Sequence, residues 1–109
     1  LQYIAQVRLS RQILRLGLRT QADLIERFPA ILERVVQEDP MLKFNGAHLR
    51  ISDDCYNFIL LYKANHDTHG GFMNALDHLN ERIIRKYEEL SLQIPYPTKR
   101  FISTVNDSQ

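Results

Sequence analysis

Hydrophobic and polar residues along this chain change period several times, and each change marks an element. Leu14, Leu16 and Leu18 alternate with Arg15, Gly17 and Arg19, the period-2 pattern of a strand with one buried face, which predicts a first strand at about residues 11–19. From Ala22 the pattern switches. Leu24, Ile25, Phe28, Ile31, Leu32, Val35 and Val36 are spaced as one stripe on a helix, with Asp23, Glu26, Arg27, Glu33, Arg34 and Glu38 on the other side. Pro29 interrupts this stripe, so the helix either kinks there or becomes regular only near Phe28. Asp39-Pro40 ends it, because a residue before proline avoids helical geometry.

Residues 41–46 read as a loop closed by Asn45-Gly46, followed by a second strand in which Ala47, Leu49 and Ile51 alternate with His48, Arg50 and Ser52. Asp53-Asp54 makes a tight turn into a third strand, Tyr56 to Lys63, which is apolar on both sides near its middle and is therefore expected inside the sheet. His66 to Gly71 form the next loop, with Asp67 or Thr68 as the helix cap. A second amphipathic helix starts at Phe72 or Met73 and runs to about Leu90. Ile94-Pro95-Tyr96-Pro97 then forces an extended arm, and Phe101, Ile102 and Val105 suggest a short last strand.

This order is β-α-β-β-α-β, which predicts an α+β, ferredoxin-like sandwich: an antiparallel sheet with two helices on one face. Residues 1–10 are expected to connect to a preceding region, residues 11–92 to form the domain, and residues 93–109 to form the arm, edge strand and polar tail.

Composition narrows the picture further. The 109 residues, with 44% hydrophobic and 25% charged, suit one globular domain that needs no disulfide or metal to hold its core. Cys55 is the single cysteine, which removes any internal disulfide and any multi-cysteine metal site. The net charge of +1 names no partner, yet the first strand carries arginines and no acid. No stretch approaches the ~20 apolar residues of a membrane-spanning helix. The chain opens at Leu1 in patterned sequence, and the expectation is a piece of a longer protein.

Candidate chemistry is sparse. His66, Asp67 and His69 are weak candidates for a metal site, since imidazole and carboxylate suit zinc or nickel; their spacing fits no specific metal signature, and a capping Asp67 beside solvated histidines explains them equally. No cofactor is expected. Cys55 reads as packing at the start of a buried strand. With no phosphate loop, triad or carboxylate pair, no enzyme activity is expected. Arg15, Arg19, His48, Arg50 and Lys63 could share the open sheet face, as in RNA-recognition modules, but the third strand lacks their basic, glycine-containing aromatic signature. Nucleic acid is therefore not expected as a partner.

The segment Ser91-Leu92-Gln93-Ile94-Pro95-Tyr96-Pro97-Thr98-Lys99-Arg100, following a helix, resembles the end of the C-terminal cytoplasmic domain of the small-conductance mechanosensitive (MscS-like) channel family. Leu14-Arg15-Leu16-Gly17-Leu18-Arg19-Thr20 is similar to that family's strand entry, and Asp53-Asp54-Cys55-Tyr56-Asn57-Phe58 to its turn into the next strand. The resemblance covers about residues 11–101, with Ser91 standing where many members have glycine. It implies a homo-oligomer, commonly heptameric, that forms a hollow vestibule at the cytoplasmic face of a membrane beneath a pore opened by tension for osmotic protection. Ile94, Pro95, Tyr96, Pro97 and Phe101 would pack between subunits, and the membrane region would precede Leu1. The alternative is a free-standing ferredoxin-like module for dimerisation or small-ligand sensing, with RNA binding behind it.

Overall fold

The computed structural model describes residues 6–66 and 68–93. In chain order the elements are β1 (Gln6–Gly17), α1 (Ala22–Gln37), β2 (Leu42–Ile51), β3 (Cys55–His66) and α2 (His69–Glu89). The three strands form one antiparallel sheet in the order β1-β3-β2. Both helices pack on the same face of it, which is the α+β, ferredoxin-like arrangement. The last predicted strand falls on residues 101–105, outside the described residues.

β3 is the central strand because its alternating residues serve both faces. Phe58, Leu60, Tyr62 and Ala64 point under the helices and are buried, while Ile59 and Leu61 are half-buried on the other side. α1 contributes Phe28, Leu32, Val35 and Val36 to the core and α2 contributes Ala75, Leu79, Ile83 and Tyr87. Full burial of an aliphatic or aromatic side chain is worth ~1.5–3 kcal/mol each. Phe28 sits at the junction, its ring 5.1 Å from Phe58 and 6.1 Å edge-on from Tyr87. One side chain thereby ties α1 to both β3 and α2.

Several boundaries differ from the sequence expectation. β1 begins at Gln6, so residues 6–10, expected as a connection, form its first half. They do alternate, Leu9 between Arg8 and Ser10, but with the parity opposite to Leu14 and Leu16, so the helix-side positions are polar: Arg8 lies over the Phe72 ring at 4.6 Å, and just beyond them Gln12 donates to Asn80 Oδ1. β2 begins at Leu42, not Ala47, because the register shifts between Phe44 and Gly46. That bulge leaves Leu42 and Phe44 inward before it and Ala47 and Leu49 inward after it, which breaks the period-2 pattern and makes Asn45-Gly46 look like a loop. Gly46 adopts φ 141, which only glycine takes without strain. α1 runs through Pro29 from Ala22.

α2 begins at His69, with Thr68 as its cap: Thr68 Oγ1 accepts from Gly71 N at 3.0 Å. Its other end closes in a Schellman turn. Leu92 N donates to Tyr87 O at 2.8 Å and Ser91 N to Glu88 O at 3.1 Å, with Ser91 left-handed at φ 56. Leu92 packs back on the core. Two contacts fix α2 against the other elements. Arg82 donates from Nε to Val35 O at 3.1 Å, satisfying a carbonyl in the last turn of α1. Tyr87 donates to Arg15 O at 2.7 Å, anchoring the end of α2 to β1.

Candidate functional site

The strand register orders the central rows of the open face. Leu9, Lys63 and Lys43 lie in one row across the sheet, then Arg11, Leu61 and Gly46, then Ile13, Ile59 and His48, then Arg15, Asn57 and Arg50. The described part of this face therefore holds five Lys or Arg side chains and no acid. Lys43 and Lys63 face each other directly, an arrangement that like charges disfavour. Within this basic field Leu9 is 73% exposed and Ile13 51%. Among the described residues β1 is paired on one side only. Exposed apolar side chains framed by charge, beside a strand edge that no described residue pairs, are features found at interaction surfaces.

The sequence places Arg15, His48, Arg50 and Lys63 on this face, and they are there. Arg19 is not: it lies in the connection between β1 and α1, beyond the end of the strand, where it lines a separate open cleft. That cleft, about 530 Å³, lies between Gly17–Gln21 and the start of α1 on one side and Leu90–Gln93 on the other. Arg11 and Lys43 were missed on the open face. Arg11 sits in the polar half of β1, and Lys43 precedes the bulge that hides the start of β2. The face carries no Phe, Tyr or Trp side chain among its described residues, since Phe44, Tyr56, Phe58 and Tyr62 all share the helix-side parity, and His48 is the one aromatic ring described on it. The described residues alone thus do not build a platform of several stacked rings there.

His66 ends β3 and His69 opens α2; Asp67 lies outside the described residues. An Arg8 guanidinium nitrogen is 3.3 Å from His69 Nδ1. Because guanidinium only donates, that ring nitrogen must accept, and a second cation at the same atom would be repelled. Among the described residues no three His, Cys, Asp or Glu side chains group to hold a metal ion. Cys55 is buried at the start of β3, its sulfur 3.5 Å from both Ser52 Oγ and Asn57 Oδ1. Its described partners include no histidine that could serve as a base.

Two tyrosines have altered acidity. Burial pushes the Tyr87 hydroxyl well above its ordinary range, with Cys55 adding to the shift. Burial also raises Tyr62, partly opposed by a hydrogen bond from Ser10. Both are neutral structural groups on the helix side of the sheet. The arm residues Ile94, Pro95, Tyr96, Pro97 and Phe101 lie outside the described residues. No helix of the described chain is long and apolar enough to cross a membrane. No family model matches the chain, and no curated protein matches it.

Proposed function

We propose that this chain is the vestibule-forming, oligomerising cytoplasmic domain of a longer mechanosensitive channel of the small-conductance type, acting in osmotic protection as a homo-oligomer. It would lie at the cytoplasmic face of a membrane, with the pore in a region before Leu1. The observation that carries this reading is Ser91. In the resemblance this position is glycine in many members, and here a non-glycine residue holds the left-handed conformation that favours glycine. A helix that ends in this turn, followed directly by Ile94-Pro95-Tyr96-Pro97, has the register on which the resemblance rests.

The basic, acid-free sheet face supports an assembly role over a catalytic one. It offers exposed apolar and charged side chains but no convergent acid, base or nucleophile. The test uses the complete gene product, including whatever sequence precedes Leu1, expressed in bacteria that lack their own mechanosensitive channels. Survival of sudden dilution and tension-gated currents in membrane patches are the expected result. A product with no upstream membrane helices, or one that gives neither survival nor current, overturns the channel reading.

A further inference from the structure

β1 presents Leu9, Arg11, Ile13 and Arg15 in one row on the open face. With about 3.3 Å per residue, they fall at roughly 0, 7, 13 and 20 Å along the strand. On the opposite side of the molecule, Met73, Asp77, Ile84 and Glu88 are exposed on α2. At 100° per residue these four fall within a stripe about 60° wide, and at 1.5 Å per residue they stand at about 0, 6, 16 and 22 Å. One row reads apolar, base, apolar, base. The other reads apolar, acid, apolar, acid, with nearly the same spacing. Met73 is 42% exposed and Ile84 50%, and neither Asp77 nor Glu88 makes a salt bridge among the described residues.

Resting on the oligomer reading above, we infer that the α2 stripe of a second copy of this chain docks along the open row of β1, setting Met73 and Ile84 against Leu9 and Ile13 and the acids against Arg11 and Arg15. Charge selects this occupant. Packing two open sheet faces together would put Lys43, Lys63 and the arginines against their own copies, which like charges oppose. The helical layer of a second copy brings acid to base instead. Because the two rows lie on opposite sides of one protomer, the contact is head-to-tail, and repeated copies form a ring or an open chain rather than a closed pair.

The experiment uses the 109-residue chain itself at concentrations up to about 1 mM, where weak contacts become populated. Sedimentation at low salt should show association beyond the dimer that high salt reverses. Arg11→Glu should weaken it at least about tenfold, and adding Asp77→Arg to the same chain should restore it, because every copy then carries the swapped pair. Under mild oxidation, chains carrying Ile13→Cys and chains carrying Ile84→Cys should form mixed disulfides, while the doubly substituted chain should give a ladder. Circular dichroism checks that each variant folds. Association untouched by Arg11→Glu, or not restored by the swap, overturns the docking and leaves the oligomer reading standing. A chain that stays monomeric and forms no mixed disulfide overturns the docking as well. Association restored by the swap, together with a complete gene product that gives no tension-gated current, upholds the docking and overturns the channel reading.

Discussion

The two faces of the sheet come from the same three strands and have opposite characters. Toward the helices, Leu16, Phe58 and Leu60 are at most 1% exposed. Toward the open side, Leu9 and Ile13 stand in water between arginines. Burial on one side supplies stability. On the other, an equally apolar side chain contributes little to the isolated fold, because folding removes little of its surface from water.

The largest separation between the faces should appear on truncation. Phe58→Ala should cost ~3–5 kcal/mol in denaturant unfolding, the transfer energy plus the cavity left between Phe28 and the sheet. Leu9→Ala, a smaller truncation to the same alanine on the open face, should change stability by no more than ~0.5 kcal/mol, well below the ~2–5 kcal/mol that a buried Leu→Ala costs. Equal losses at the two positions would show that Leu9 is covered within the protomer.

Arg82→Ala comes next, at about 1–3 kcal/mol, because it strips the last turn of α1 of the donor to Val35 O. Glu38→Gln removes only the 3.5 Å contact to Arg82 from a largely exposed carboxylate and should cost far less. Comparable losses would move the energy to the ion pair.

Tyr87→Phe should cost about 1 kcal/mol at neutral pH by orphaning Arg15 O. It also tests the pH dependence. The folded hydroxyl holds its proton above the ordinary tyrosine value of 10.0, at which the unfolded chain releases it. The contribution is therefore complete below that value and declines as pH rises beyond it. The wild-type midpoint should fall more steeply than that of Tyr87→Phe in alkaline titrations, and parallel curves would remove Tyr87 as the cause.

The smallest effect has the opposite sign. Ser91→Gly should stabilise by ~0.5–1 kcal/mol, because glycine adopts φ 56 without a Cβ penalty. A loss of stability would mean that the Ser91 side chain makes a contact outweighing that strain.

The element order and both helix stripes were legible because periodicity reports burial directly. The apolar middle of β3 likewise marked it as the strand flanked on both sides. The hidden parts had physical causes. At Asn45 a single extra residue reverses the inward parity of β2, so no alternation scan can cross it. Residues 6–10 alternate with the parity opposite to Leu14 and Leu16: Leu9 is on the open face and Arg8 on the helix side, its partner Phe72 more than sixty residues away along the chain. The candidate surface was half legible for the same reason: Arg15, His48, Arg50 and Lys63 sit in clearly alternating strands, whereas Arg11 and Lys43 sit where alternation fails.

Sequence by itself determined which residues prefer to be dry and at what spacing they recur, and this set the number, type and order of the described elements. Tertiary structure alone decided the strand register, the long-range bonds from Arg82 and Tyr87, and the gathering of five bases on one face without an acid. Local spacing is a property of neighbours along the chain. A surface is made by residues that only folding brings side by side.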